Sequence, residues 1–469
     1  MQAVQTVDIE RFYLGCLAHA SYMVASEGIA AVIDPQRDVE IYLEAAAAKN
    51  LRIATIIETH LHADFVSGHH ELAQRTGAAI YIGANAHAEF PHIPIRDNDT
   101  LTFGTATLTF LETPGHTLEG VCVVLRDLSN PTFPATVFTG DTLFVGDVGR
   151  PDLSPTHTPQ QLAAALYNSL HTKLLTLPDD TIIFPAHGAG SLCGRNMSAE
   201  SSSTIGHQRA TNYALMARSS EEFVHLLTDN MTTAPEYFAS EVALNRRGAT
   251  SLSELPDLKA LTPNELTQLT SDGATIIDTR PAPDFAAAHL PRSLHIALTG
   301  QYASWAARIL GLHTTLILVT EDTQSLRESQ LRLARVGIER IAGYLAGGIT
   351  AWVNAGHPLE STPQITAPDL ANWLSTDTTP PTILDVREPA ETESGSIPNS
   401  INIPLGTLKS RLKEIDPTHP VVVHCKGGYR SSIATSLLRQ ANIPEVIDLI
   451  GGFDAWKMAT LNLEQPSPH

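Results

Sequence analysis

The chain has 469 residues, with 50 Asp or Glu against 30 Lys or Arg, a formal net charge of −20. Displacing counterions from nucleic acid, or holding an anionic membrane surface, takes Lys and Arg, so this balance argues against both partners. Hydrophobic residues make up 43 % and charged residues 17 %, which suits a folded chain of about three domains rather than a disordered one.

Four cysteines, Cys16, Cys122, Cys193 and Cys425, are too few for a disulfide scaffold, and a reduced, cytoplasmic compartment is expected. Met1–Arg11 carries Asp8 and Glu10 and no apolar centre, so it does not read as a signal peptide. No apolar run reaches the roughly 18 residues that span a bilayer. Thirteen of the 20 histidines fall in the first 225 residues.

Along the first 245 residues, short apolar strands alternate with helices. Ala30–Asp34 and Arg52–Glu58 read as buried strands, and Val39–Lys49 and His69–Gly77 as helices, the second stopped by Gly77. Thr105–Leu111, Ala135–Phe138 and Thr181–Phe184 read as further strands. Arg246–Pro256 and Pro358–Pro368 break the periodicity and read as linkers.

Between and beyond these linkers lies an internal repeat. Thr275–Leu298 aligns without gaps on Thr382–Leu405, pairing Asp278 with Asp385, Arg280 with Arg387 and Pro291 with Pro398. Farther on, Gly347-Gly348 and Trp352 match Gly451-Gly452 and Trp456. The period is domain-sized, so a domain is duplicated. The expected domains are residues 1–245, 252–360 and 364–469.

In the second copy, the strand Pro420–His424 runs into Cys425-Lys426-Gly427-Gly428-Tyr429-Arg430, and Ser431–Gln440 reads as a helix. Such a loop can aim backbone N–H groups inward as an anion nest, and the helix N-terminus adds partial positive charge. With Arg430 closing the ring, these features suit a thiolate or a persulfide anion on Cys425. The segment resembles a rhodanese (sulfurtransferase) domain in this loop and in the upstream Ile383-Leu384-Asp385-Val386-Arg387. The resemblance implies that Cys425 carries the transferred sulfur and that Arg430, Lys426, Gly427, Gly428 and Tyr429 surround it. Phosphatases of the same fold have one more residue between Cys and Arg. The first copy has no cysteine, with Glu321 or Leu318 falling at the place of Cys425 according to the offset used. It is expected to be catalytically silent and to serve packing, orientation or docking.

In the first 245 residues, His60, His62 and Asp64 share a loop after a strand. His116, Asp141 and His187 each follow a strand beside a turn-forming residue. The order resembles a metallo-β-lactamase fold, an αββα sandwich. Hydrolytic members carry His-x-His-x-Asp-His and two zinc ions, and here Phe65 stands at the last histidine. A lone metal held by two histidines and a carboxylate favours non-haem Fe(II) and oxygen chemistry.

Persulfide dioxygenases of this fold use that arrangement. The resemblance implies one Fe(II) per chain on His60, His116 and Asp141. His62, Asp64 and His187 would then orient the ligands or bound water, although whether His62 itself binds metal stays open. Arg150, in Gly149-Arg150-Pro151-Asp152, would bind a carboxylate or phosphate of the persulfide carrier, or be capped by Asp152. Cys193 would accept sulfur from substrate, or be a buried inert thiol.

The whole order resembles bacterial persulfide dioxygenase–rhodanese fusions. That implies a low-molecular-weight thiol persulfide and O2 as substrates, and sulfite and thiosulfate as partners of the second step. Sulfide detoxification and a homo-oligomer are also expected. The alternative is a two-metal, glyoxalase II-like thioester hydrolase with an appended sulfurtransferase. Two others are a sulfur-transfer module whose first domain only binds a partner, and a sulfur carrier or redox sensor without turnover.

Overall fold

A computed structural model describes residues 7–229, 231–376 and 380–464. It falls into two compact units, Met1–Leu255 with Ala334–Gly337, and Pro256–Leu333 with Ile338–His469. Among the described residues, no helix is long and apolar enough to cross a membrane.

The first unit is a sandwich of two six-stranded sheets. One runs, in spatial order, Asp8–Leu14, His19–Ser26, Ile29–Ile33, Arg52–Glu58, Ala79–Gly83 and Ile93–Ile95. The other runs Ser203–Thr204, Ile182–Pro185, Thr136–Gly140, Val121–Asp127, Ala106–Glu112 and Thr100–Phe103. Tyr22, Val24, Ile33, Ile57, Leu108, Phe110, Val123 and Phe138 fill the space between them. Period-two alternation puts the next residues on the outer faces. There Val32, Ile56 and Ile80 pack with Tyr42 and Leu72 of the helices Glu40–Ala48 and His69–Thr76. Val124, Val137 and Ile183 pack with the helices Pro159–Thr172 and Ser220–Thr228 on the opposite side. The helix–sheet–sheet–helix layering is the αββα sandwich of the sequence reading.

The alternating strand–helix pattern misses the first two strands of this unit and finds the third. Asp8–Leu14, His19–Ser26 and Ile29–Ile33 form an antiparallel meander before the first helix. His19–Ser26 is buried along its whole length, so it shows no polar alternation to read.

The second unit holds two five-stranded parallel sheets of the same order. One runs Ala260–Leu261, Ile341–Leu345, Leu316–Val319, Thr275–Asp278 and Leu294–His295; the other runs Gln364–Ile365, Val446–Leu449, Val421–His424, Thr382–Asp385 and Ile401–Asn402. Strand pairing fixes the register of the repeat. Asp278 lies opposite Val319, and Asp385 opposite His424. Thr320 therefore occupies the place of Cys425, not Glu321 or Leu318. The offset beyond this strand differs from the one within it, because a bulge before Gly343 shifts the first copy's next strand by one residue; the larger offset upstream changes in the segment before Leu316. The helix after Cys425 begins at Tyr429, two residues before its expected start, and the linker at Arg246 is entered by the helix Phe238–Arg247.

Candidate metal centre and cysteine loop

His60 follows Arg52–Glu58, Asp141 follows Thr136–Gly140, and His116 lies in the turn after Ala106–Glu112. Their donor atoms converge, with His60 Nε2 3.7 Å and His116 Nε2 3.4 Å from Asp141 Oδ2. All three donor atoms lie within 4.8 Å of one another, and all three side chains are buried. They line a small pocket together with Thr59, Thr113 and Thr117.

The outward atom of each ligand is already bonded. His116 Nδ1 donates to the Arg150 carbonyl at 2.9 Å, and Asp141 Oδ1 accepts from His187 Nδ1 at 2.7 Å. His60 Nδ1 donates to Thr59 Oγ1 at 3.0 Å, because that hydroxyl itself donates to Asp34 Oδ2 at 2.9 Å. Each imidazole is thereby held with its Nε2 lone pair pointing inward. His116 Nε2 and Asp141 Oδ2 are buried with no hydrogen-bond partner. Buried polar atoms are rarely left so, and a facing trio of two imidazoles and a carboxylate fits a divalent metal.

Two glycines let the strands come this close. At Gly149 a Cβ would sit 2.1 Å from the Asp141 carbonyl and 2.8 Å from His116 Nδ1. At Gly140 the backbone has φ +50°, and a Cβ would meet Thr59 Oγ1 at 2.5 Å.

His187 lies between two carboxylates, Nδ1 2.7 Å from Asp141 and Nε2 3.1 Å from Asp64. Against burial, the largest single influence, those carboxylates hold the ring well above the ordinary histidine range. Burial likewise opposes ionisation of Asp141, yet His187 and His60 hold it well below the usual carboxylate range. Phe65 is buried in contact with this cluster, its ring centroid 4.1 Å from His19 and 4.4 Å from His62.

His62 turns the other way, with Nε2 3.3 Å from Asp34 and 3.5 Å from Glu58. Burial lowers its pKa to about 3. Burial and the neighbouring Asp34 push Glu58 well above the carboxylate range, opposed by the Ser67 hydrogen bond. Burial also raises Asp34, opposed by His60 and by the Thr59 hydrogen bonds.

The structure gives Arg150 a structural occupation. It makes a two-point pair with Asp152 at 2.6 and 2.8 Å and donates to the carbonyls of Leu192 and Thr232. Those contacts, capping by Asp152 among them, take up most of its guanidinium donors. Cys193 lies with Asp64 and His187. Burial and the Asp64 and Asp141 carboxylates keep its thiol protonated, well above the usual range.

Two groups at this site escaped the sequence reading. Asp34, at the end of a predicted strand, anchors Thr59 and through it His60. Asn245, placed at a domain edge, donates to the carbonyls of His62 and Phe65 and accepts from Ser67 N–H, clamping the ligand loop. Asp34 showed only the strand-end position that marked its neighbours, and Asn245 showed no signal at all.

In the second unit, Cys425 is buried at the end of its strand. Gly428 N–H donates to Cys425 Sγ at 3.1 Å, and Gly428 has φ +108°. The carbonyls of Cys425 and Lys426 accept from Phe453 and Asp454, at the start of the helix Gly452–Glu464. Lys426 and Gly427 are exposed. Arg430 does not close the ring alone: it is held by Glu391 through two bonds of 2.6 and 2.7 Å, so its fork is already engaged by a carboxylate. Tyr429 donates its hydroxyl to the Ala297 carbonyl of the other repeat at 3.0 Å.

Comparison with known proteins agrees with this architecture. Residues 14–187 match the family model described as the metallo-beta-lactamase superfamily, and residues 262–355 and 366–459 match the rhodanese-like domain. The chain is 30 % identical over 223 residues to human mitochondrial persulfide dioxygenase ETHE1, a match covering 46 % of this chain and 78 % of the relative. This chain belongs to the metallo-beta-lactamase superfamily.

It joins a metallo-beta-lactamase domain related to persulfide dioxygenases to two rhodanese-like domains. A hydroxyacylglutathione hydrolase of Methylobacillus flagellatus is 31 % identical over 48 % of this chain and 80 % of the relative. A solved metallo-beta-lactamase from Staphylococcus aureus matches with a TM-score of 0.65 and 28 % identity, covering 73 % of this chain and 99 % of that one.

Proposed function

We propose that the first domain is a non-haem Fe(II) persulfide dioxygenase, holding one iron on His60, His116 and Asp141. The observation that carries this reading is Phe65 at the place of a second-metal ligand, beside a three-donor cluster in which His116 Nε2 and Asp141 Oδ2 have no hydrogen-bond partner. Identity with persulfide dioxygenases supports it. Iron, when bound, would supply the chemistry that joins O2 to the terminal persulfide sulfur, giving sulfite and a thiol. The chain's own part is to fix the two imidazole tautomers through Thr59 and the Arg150 carbonyl. His187 holds Asp141 in place and neutralises it, and Phe65 keeps polar groups and water from its side.

The last domain then moves sulfane sulfur on Cys425, making thiosulfate from sulfite and a second persulfide or running in reverse. Gly428 N–H would hold the anionic sulfur. One chain carrying both steps raises the local concentration of sulfite at Cys425. The biological role we infer is sulfide detoxification in the cytoplasm.

The test is metal analysis beside an oxygen electrode with glutathione persulfide. About one iron per chain and persulfide-dependent O2 uptake are expected. Two zinc ions, no uptake and thioester hydrolysis would establish the hydrolase reading, which the identity with hydroxyacylglutathione hydrolases favours. Cys425→Ser should abolish sulfur transfer to cyanide while sparing O2 uptake; surviving transfer would remove Cys425 from the mechanism.

A further inference from the structure

Behind the cysteine loop lies a carboxyl group that the reactions above do not use. Asp448 belongs to the strand Val446–Leu449 and pairs with Val423 of the strand leading to Cys425. Its neighbours Ile447 and Leu449 face the apolar cluster that includes Val422, Leu370 and Trp456. Strand alternation turns Asp448 to the other face, where the helix Tyr429–Gln440 packs. The residue is only 5 % exposed, and its Oδ1 has no hydrogen-bond partner. The carboxyl meets two side chains, Ser431 and Gln364. Ser431 Oγ in turn lies 3.8 Å from Cys425 Sγ and 3.1 Å from the Gly428 carbonyl. The Ser431 hydroxyl, which acts on the carboxyl, is thus also a neighbour of the sulfur.

The internal repeat supplies a comparison within the same chain. Asp278 and Arg280 keep in the silent copy the pairing that Asp385 and Arg387 make in the other. These residues hold the fold. The groups behind the sulfur are lost as a set. By the strand and helix register, Thr320 replaces Cys425, Leu326 replaces Ser431 and Tyr344 replaces Asp448. A buried carboxyl kept only for packing would have no reason to depart together with the cysteine and the serine.

We propose that Asp448 is a positioning residue for sulfur transfer at Cys425: protonated, it donates to Ser431 Oγ and turns the serine hydrogen toward the persulfide sulfur. This inference rests on Cys425 being the sulfur carrier. In the step concerned, the Cys425 thiolate attacks the outer sulfur of thiosulfate. A new S–S bond forms as the old one breaks, and sulfite leaves with the electron pair. The disulfanyl anion stays on Cys425 until cyanide takes its outer sulfur as thiocyanate and restores the thiolate. No outside oxidant or reductant is needed.

Ionised Asp448 would draw the serine hydrogen to itself and place negative charge behind an anion. Burial raises its pKa to about 7, so this change falls within the working range. The groups that meet it, Ser431 and Gln364, do not ionise. The titratable and charged groups on the packed elements are His424, paired with Asp385, His295 against Ser432 of the helix, Lys426 and the Arg430–Glu391 pair.

The experiment measures thiosulfate:cyanide sulfurtransferase kcat and KM on the full chain from about pH 5.5 to about pH 9. Alkylation of Cys425 by iodoacetamide is followed over the same range by peptide mass. Wild-type kcat should fall by about three- to tenfold as pH rises through an inflection near 7, with KM steady. Asp448→Asn, whose amide mimics the neutral acid, should keep the low-pH rate within about twofold and lose the inflection. Ser431→Ala should be slower throughout, without the inflection. An inflection persisting in Asp448→Asn overturns the proposal, and so does a wild-type enzyme lacking it in both measurements. Should Asp448→Asn fail to fold, the wild-type alkylation profile alone decides. A wild type that passes no sulfur to cyanide, yet shows the Asp448-dependent inflection in alkylation, overturns the sulfur-carrier reading and supports the positioning role.

Discussion

Replacing Asp34 by Asn isolates the support of a single metal ligand. In the native arrangement Asp34 accepts Thr59 N–H at 2.7 Å and Thr59 Oγ–H at 2.9 Å, and the threonine oxygen accepts from His60 Nδ1. An asparagine oxygen can keep the first bond, but its NH2 faces the hydroxyl and cannot accept from it. One charge-assisted bond is lost, worth about 1.5–3 kcal/mol. The hydroxyl must then donate elsewhere, and the open acceptor is His60 Nδ1. That moves the ring hydrogen to Nε2, the atom aimed at the centre. Loss of such a supporting partner lowers metal affinity by about 10–100-fold, which corresponds to about 1.4–2.7 kcal/mol. Iron affinity measured by chelator competition, with a thermal melt of metal-free protein as control, should show both effects. Affinity within about twofold of wild type, with the melt lowered, would refute the argument that Asp34 sets the His60 tautomer.

Phe65→Ala should destabilise the first unit by about 3–5 kcal/mol in denaturant titration, because the ring is buried between His19 and His62. At about pH 8, iodoacetamide should label the half-buried Cys16 well before Cys193, whose thiol is held protonated by burial and Asp64; peptide mass mapping checks this. Metal-free protein should lose stability at both pH extremes. His187 is raised above its ordinary 6.5, so its contribution is complete below that value and lost as pH rises through the raised one. Asp141 is lowered below its ordinary 3.8, so its contribution holds above that value and is lost as pH falls through the lowered one. Asp64→Asn should blunt the alkaline loss in melting curves taken across pH.

Strand ends were legible in the sequence wherever a β-branched run met a turn-forming residue. Arg52–Glu58, Thr136–Gly140 and Val421–His424 therefore lie within two residues of their expected bounds, and the ligand residues at their ends converge. What stayed hidden depended on contacts distant in sequence. Asn245 reaches the 62–67 loop across more than 170 positions, and no local pattern records that. The engagement of Arg430 by Glu391 was equally invisible, since Arg430 reads as part of the cysteine loop and Glu391 alone as a solvated charge. The place of Cys425 in the silent copy could not be fixed without strand pairing, because a one-residue bulge shifts the offset where no motif marks it.

The cluster around Asp141 bears on how many metals this fold must carry. Asp64 and Asp141 are buried carboxylates, and leaving such charges uncompensated in a protein interior is costly. A second cation with a histidine in place of Phe65 would be one compensation. Here His187 contacts an oxygen of each aspartate, and those carboxylates raise its pKa against the effect of burial, while Phe65 closes the adjacent volume with a ring that cannot coordinate. A second metal on Asp64, His187 and Cys193, whose donor atoms lie within 4.8 Å of one another, would have to displace a proton from His187 and from the Cys193 thiol. The charge balance thus opposes a second metal, and the one-metal reading proposed above rests on it together with Phe65.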